Sequence, residues 1–174
     1  MRIAIIGYSG SGKSTLARKL GELYNLPVLH FDKVQFHPNW EIRPQQSKEV
    51  MTKAFLDLHK DWVIDGNYSK LSFERRMVEA DVIILLLFGR LSCLYRVTHR
   101  YLKYKDVTRP DMAEGCKEKL DWEFVKWVLW KGRTKETRER FQGILARFPH
   151  KTVVIKNQWQ LDRVQDYINK VIAK

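Results

Sequence analysis

Ile3-Ala4-Ile5-Ile6-Gly7-Tyr8-Ser9-Gly10-Ser11-Gly12-Lys13-Ser14-Thr15 places a short apolar run, a glycine-rich turn and a helix start in direct succession. Gly7, Gly12, Lys13 and Ser14 fit the spacing G-x-x-x-x-G-K-[ST] without a gap. Glycines at 7, 10 and 12 allow backbone conformations closed to other residues, so successive N–H groups can turn inward on a phosphate. The helix that follows aims its positive end at the same point. Lys13 supplies a cation for the β and γ oxygens, and the Ser14 hydroxyl suits one position on Mg²⁺, a hard ion that prefers oxygen. The candidate nucleotide-binding residues are therefore Gly7, Tyr8, Ser9, Gly10, Ser11, Gly12, Lys13, Ser14 and Thr15, with ATP and Mg²⁺ as cofactors. Leu16, Ala17, Leu20 and Leu23 then repeat at helical spacing, which predicts an amphipathic helix ending near Tyr24-Asn25.

Working outward, Leu26 to Phe31 reads as a second strand ending at Asp32. An acidic residue at the carboxyl end of a parallel strand lies at the rim where open α/β sheets bind ligands. Asp32 is thus a candidate for orienting an acceptor hydroxyl, and His30 reads as a strand residue packed nearby. Phe36, His37 and Trp40 stand in an aperiodic loop that suits an acceptor pocket or a packed surface loop. Pro44 opens a helix through His59 with Val50, Ala54, Phe55 and Leu58 at core spacing. A third strand, Trp62 to Ile64, ends at Asp65-Gly66-Asn67-Tyr68, and Asp65 is the candidate for a water-mediated Mg²⁺ contact. Lys70, Arg75 and Arg76 follow, placed either to meet an acceptor phosphate or to form a solvated face.

Val82 to Phe88 is a continuous apolar run, as expected of a strand covered on both faces, and predicts the central strand. A basic helix begins at Arg90, with Arg96 and Arg100 on one face. Lys105 to Glu118 has little apolar content and reads as a mobile excursion. The cluster Trp122, Phe124, Trp127, Leu129 and Trp130 reads as core or a dimer face in preference to a base-stacking platform. Another helix carries Arg138 and Arg140 toward Phe148-Pro149. Lys151 to Ile155 is the fifth strand, and Asn157 caps a last helix whose apolar face is Leu161, Val164, Tyr167, Ile168 and Val171.

The chain has 174 residues, 44% hydrophobic and 30% charged, a composition that suits one α/β domain and excludes a disordered chain. No stretch reaches the roughly eighteen apolar residues of a membrane span, and the N-terminus lacks a signal-peptide layout, so a cytoplasmic protein with no membrane partner is expected. Cys93 and Cys116 are far apart and have no C-x-x-C partner, so neither a disulfide framework nor a zinc site is suggested, and reduced, partly buried thiols are expected. The net charge is +12, and Gly89 to Lys151 holds sixteen Lys or Arg against eight Asp or Glu. Nucleic acid or a polyphosphate substrate would each account for that excess. No helix-turn-helix, zinc finger or RNP-like motif accompanies it.

The glycine loop on strand one, Asp32 ending strand two, Asp65-Gly66 ending strand three and the basic excursion before strand five together resemble the adenylate-kinase-like branch of P-loop phosphotransferases. Leu29-His30-Phe31-Asp32, Asp65-Gly66-Asn67-Tyr68, Arg109-Pro110-Asp111-Met112 and Gly115-Cys116 are also similar to small bacterial proteins labelled "DNA topology modulation" proteins, a label that names a cellular effect. The branch implies a three-layer α/β sandwich with a five-stranded parallel sheet, helices on both faces, an ATP site, an acceptor site and a helical lid, here at about 100–135 of a single domain, 1–174. It implies phosphoryl transfer from ATP to a hydroxyl or phosphate acceptor, with Lys13, Asp32 and the lid-region arginines Arg96, Arg100, Arg133 and Arg138 as candidate catalytic groups. Monophosphate kinases of the branch follow Asp-Gly with an aromatic, Pro and an Arg that holds the acceptor phosphate. Asn67, Tyr68 and Ser69 stand there instead, which leaves a nucleoside or another small hydroxyl compound open as acceptor. Two alternatives are an ATP-dependent DNA-binding regulator and a simple NTPase; a monomer or homodimer is expected.

Overall fold

A computed structural model describes residues 1–105 and 107–173. Five parallel strands form one sheet: β1 (Arg2–Gly7), β2 (Val28–His30), β3 (Trp62–Asp65), β4 (Val82–Leu86) and β5 (Thr152–Ile155), in the spatial order β2-β3-β1-β4-β5. The helices are α1 (Lys13–Tyr24), α2 (Phe31–Gln35), α3 (Gln45–Leu58), α4 (Phe73–Glu79), α5 (Arg90–Tyr104), α6 (Trp122–Leu129), α7 (Lys135–Arg147), α8 (Gln158–Asp162) and α9 (Val164–Ile172). The strand period of two sorts their side chains into two cores. Ile3, Ile5, Val63, Ile84 and Ile155 meet Leu16, Leu20, Val97 and Ile168 of α1, α5 and α9. Ala4, Ile6, Ile64, Ile83 and Leu85 meet Phe31, Leu56, Met77, Phe141 and Ile144 of α2, α3, α4 and α7. The result is the expected three-layer α/β sandwich with helices on both faces.

The chain leaves β1 for α1 on one face and leaves β3 for α4 on the other, so the carboxyl ends of these neighbouring strands open a crevice between them. Every residue that follows matters through its distance from that crevice.

Several expectations are corrected. The central strand is β1, flanked by β3 and β4; β4 is buried along its whole length because β5 covers its other edge. The second strand is only Val28–His30, and Asp32 lies in the first turn of α2, where a carboxylate is favoured by the helix dipole. Leu23 is 52% exposed, because the face of α1 that meets the core carries Leu16, Ala17, Leu20, Gly21 and Tyr24. On α3 the buried residues are Lys48, Thr52 and Leu56, whereas Val50 and Leu58 are exposed, since the inner face of α3 meets polar groups at its N-terminal end. The segment Lys105 to Glu118 spans Asp106, outside the described residues. Its other residues are packed more closely than a loose excursion would be: Arg109, Met112, Cys116 and Glu118 are buried, and Trp40 N–H donates to Cys116 Sγ at 3.2 Å. Trp122, Trp127 and Trp130 are exposed rather than core. The last helix divides at Arg163 into α8 and α9, with Asn157 capping the first through its bond from Gln160 N–H. Among the described residues no helix is long and apolar enough to cross a membrane.

Candidate active site

The glycine loop leaves β1 at Gly7, where φ is +149° and a Cβ would collide with the Leu86 carbonyl of β4. Gly10 has φ +76°, and a Cβ there would sit 2.8 Å from both the Cys93 carbonyl and Val97 Cγ1. Only glycine allows the loop to lie this close to α5. The first turn of α1 has no side-chain cap and no acidic residue, so its amide donors face the cleft unpartnered by a cap. Lys13 Nζ curls back over the loop to the carbonyls of Gly7 and Tyr8 at 3.2 and 3.1 Å. Burial lowers its pKa, opposed by the nearby carboxylates of Asp32 and Asp65.

Asp65 ends β3 beside this loop. Ser14 Oγ donates to its Oδ2 at 2.7 Å and His30 Nδ1 meets its Oδ1 at 2.6 Å, so both carboxylate oxygens are held in place. The next residues lock the loop from the same side. Asn67 Oδ1 accepts the Gly7 N–H at 2.9 Å and its Nδ2 donates to the Gly7 carbonyl at 2.6 Å. The Tyr68 hydroxyl donates to Asp32 Oδ1 at 2.9 Å, which fixes the Asp32 carboxylate from across the crevice. Desolvation and the Asp32 charge raise the Tyr68 pKa far above its ordinary value, so the phenol stays a donor.

The expected arginines separate. Arg96 donates to the Ser11 carbonyl at 2.9 Å and to Gln158 Oε1 at 2.6 Å while stacking on Phe88 at 3.9 Å, bracing the loop from α5. Arg100 donates to Glu118 at 3.1 Å and lines the cleft. Arg133 is buried beneath the loop, bonded to the carbonyls of Val128 and Phe88 at 3.1 and 3.0 Å and stacked on Tyr8 at 3.9 Å, so its guanidinium is engaged with the protein itself. Arg138 is exposed; Arg140 and Thr137 of the same helix are the residues that reach the cleft. Arg76, expected on an acceptor phosphate or in solvent, is fully buried, its guanidinium donating to the carbonyls of Leu71 and Tyr68.

All these groups border one cleft of about 1420 Å³. Loop residues, Lys13, Ser14, Thr15 and Asp65 line it together with Asp32, Gln35, Phe36, Trp40, Lys48 and Tyr68. Arg109 and Asp111 also border it. Arg109 pairs with Asp111 at 2.8 Å and shares Glu118 with Arg100. Thr108 to Lys117 is closed on itself by an antiparallel bridge, and this turn packs on Asn39 and Trp40 through the Glu114 carbonyl and Cys116. Trp127 of α6 donates to Ser9 Oγ at 3.0 Å, tying α6 to the glycine loop. Tyr68 could be found from its place in Asp-Gly-Asn-Tyr, whereas Lys48, Arg140 and Trp127 depend on tertiary packing.

The residues fit ATP and Mg²⁺ on two grounds. Gly7, Gly10 and Gly12 take positive φ in a loop packed too closely on β4 and α5 for a Cβ at Gly7 or Gly10, and it leads into a helix start with no side-chain cap and no acidic residue, the features of a phosphate-binding loop. Ser14 and Asp65 bring a hydroxyl and a carboxylate together, the hard oxygen donors that Mg²⁺ takes in small number alongside phosphate and water.

No family model matches the chain, and no curated protein matches it by sequence. Solved structures do resemble it. Shikimate kinase from Acinetobacter baumannii, in complex with shikimate, is 14% identical with a TM-score of 0.57, covering 99% of this chain and 93% of its own. Deoxyadenosine kinase from M. mycoides with bound dATP is 13% identical with a TM-score of 0.52, covering 97% of this chain and 100% of its own. An uncharacterized protein from Eubacterium ventriosum is 18% identical with a TM-score of 0.51, over 97% of this chain and 98% of its own. At these identities the likeness is one of fold, and the chain has the α/β fold of the P-loop kinases.

Proposed function

We propose that the protein is an ATP-using phosphotransferase that moves the γ-phosphoryl group to a hydroxyl of a small acceptor. The observation that carries this reading is that the Ser14–Asp65 pair, Lys13 and the Tyr68-held Asp32 all border a single cleft. The loop from Tyr8 to Ser14 and the Lys13 ammonium hold the phosphates. Ser14, and Asp65 through water, hold Mg²⁺, which neutralises charge on the phosphate oxygens when bound. Asp32 accepts a hydrogen bond from the acceptor hydroxyl and aims its oxygen at the γ-phosphorus. The acceptor oxygen bonds to phosphorus, the bond to the β–γ bridging oxygen breaks, ADP leaves, and the hydroxyl proton passes to Asp32 and then to water. Phosphoryl transfer asks for alignment and charge neutralisation rather than covalent help, which this set of groups supplies. Arg96, Arg100 and Arg140 add positive charge around the path, and the segment of about 100–135 closes over it to exclude competing water.

The DNA-linked alternative draws on net charge. Arg76, Arg96, Arg100, Arg109 and Arg133 are engaged with groups of the protein itself, which weakens that support.

The test is ATP consumption by purified protein with Mg²⁺, screened against nucleosides, nucleoside monophosphates and small sugar or cofactor alcohols, with Lys13→Ala as control. An acceptor that accelerates turnover far beyond hydrolysis, in the wild type alone, is the expected result. Hydrolysis indifferent to every acceptor argues for a simple NTPase, and ATP binding without turnover, coupled to salt-sensitive duplex binding, argues for the DNA-linked role.

A further inference from the structure

Among the described residues, the buried charged side chains that border the cleft are matched but for one. Asp65 is held by Ser14 and His30, Asp32 by Tyr68, and the arginine pair Arg100 and Arg109 faces the acid pair Glu118 and Asp111. Lys48 is the exception. It is 7% exposed, borders the cleft beside Gln35, and takes part in no ion pair among the described residues. Its one side-chain partner is neutral: Nζ donates to Gln35 Oε1 at 3.0 Å. A buried ammonium without a counter-charge is disfavoured by desolvation, and such groups are almost always paired. Its position adds to the cost. Lys48 lies in the first turns of α3, a helix of 14 residues with no side-chain cap and no acidic residue in its first turn, so the cation sits at the positive end of the dipole. Two N–H groups of Lys48 and the amide NH₂ of Gln35 remain to donate, because a lysine can bond only to the carbonyl side of that amide.

We propose that the acceptor carries an anionic oxygen group, a carboxylate or a phosphate, held at the start of α3 by Lys48 and Gln35. This rests on the phosphotransferase reading and narrows it. The substrate class becomes a small anionic alcohol whose hydroxyl meets Asp32 while its anionic end meets Lys48. The anion supplies the counter-charge that the folded protein lacks, and a neutral alcohol of the same shape leaves it lacking.

The experiment uses the full chain saturated with a non-hydrolysable ATP analogue and Mg²⁺, so that the glycine loop is filled. Inorganic phosphate and acetate are titrated separately by thermal shift and calorimetry, and then glycerol, glycerate and glycerol phosphate as matched alcohols. The expected result is that one anion, and the alcohol bearing it, raises the melting temperature while glycerol does not. In Lys48→Met that binding weakens about tenfold or more, as loss of a charge-assisted hydrogen bond does. The same substitution leaves analogue affinity unchanged and raises the melting temperature of the ligand-free protein, because it removes an unpaired buried charge while keeping the volume. The proposal is overturned if neither anion binds, if binding survives in Lys48→Met, or if that variant melts well below the wild type, which would mark Lys48 as a strut between α2 and α3. Failure of the wild type to bind the analogue would sink the phosphotransferase reading, and this proposal with it.

Discussion

Replacing Arg76 with Met tests how the acceptor side of the site is built. Arg76 lies on α4 with no exposed surface. Its Nε donates to the Leu71 carbonyl at 3.0 Å and its Nη2 to the Tyr68 carbonyl at 2.8 Å, with a longer contact of 3.4 Å to the Gly66 carbonyl. The guanidinium also stacks over Phe31 at 4.3 Å. One side chain therefore gathers the whole turn from Gly66 to Leu71, which carries Asn67 and Tyr68. The two well-formed charged hydrogen bonds are worth about 1.5–3 kcal/mol each, and the desolvated stacking about 2 kcal/mol. Relief of the buried guanidinium's desolvation offsets several kcal/mol, consistent with the lowered pKa that burial gives it. The net loss is about 3 kcal/mol, which at roughly 2–4 °C per kcal/mol for a chain of this size lowers the melting temperature by about 6–12 °C. Calorimetry and urea unfolding of Arg76→Met measure this directly. If Arg76 instead met an acceptor phosphate, the variant would keep its melting temperature and lose only acceptor affinity. A melting point within about 2 °C of the wild type refutes the structural role.

Three further outcomes follow from the geometry. Lys13→Ala abolishes acceptor-dependent ATP consumption while circular dichroism and urea midpoint stay near wild type, since its Nζ bonds only loop carbonyls; full turnover by the variant defeats the phosphotransferase reading. Gly10→Ala costs about 2 kcal/mol or more from its left-handed backbone and its crowding against Cys93 and Val97, and lowers ATP-analogue affinity in calorimetry; wild-type affinity and urea midpoint would contradict the close packing of loop on α5. The raised Tyr68 pKa means that the unfolded phenol ionises near 10.0 while the folded one does not, so the folded state binds the extra proton and stability falls as pH rises above that value. In ultraviolet titration Tyr68→Phe leaves the tyrosinate amplitude near pH 10 unchanged; loss of one of the seven tyrosines' signal there counts against the buried Tyr68–Asp32 bond.

The strands and the glycine loop were legible in the sequence because they are local: apolar runs of strand length, glycines at fixed spacing, and an acid at a strand end. Asp65 came from that logic, and the structure sets it against Ser14. What escaped the sequence depends on which neighbour a residue meets. Arg75 and Arg76 are adjacent, yet Arg75 forms exposed pairs with Asp57 and Glu79 while Arg76 is enclosed. Val50, Ala54 and Leu58 form a regular stripe on α3, but the buried residues are the neighbouring stripe of Lys48, Thr52 and Leu56, and period alone does not tell which face turns inward. The arginines of α5 to α7 look alike in sequence; only packing separates Arg133 under Tyr8 from Arg138 in solvent. The order of strands was hidden for the same reason, since the longest apolar run marks double coverage rather than the middle position.

The sheet order also bears on how the chain reaches its native state. Ile3 pairs with Val63 on one side and with Val82 on the other, so β1 is synthesised long before either neighbour exists. Loop-closure entropy has to be met for each pairing before the central strand gains the hydrogen bonds of that edge, which makes this a high-contact-order topology and a slow folder. Until β4 emerges, Ile3 to Ile6 is an apolar segment with at least one edge open, the kind that associates with other chains. Fragments ending before Val82 should therefore be recovered as aggregates or bound to chaperones, and those that include β4 should be the first to stay soluble.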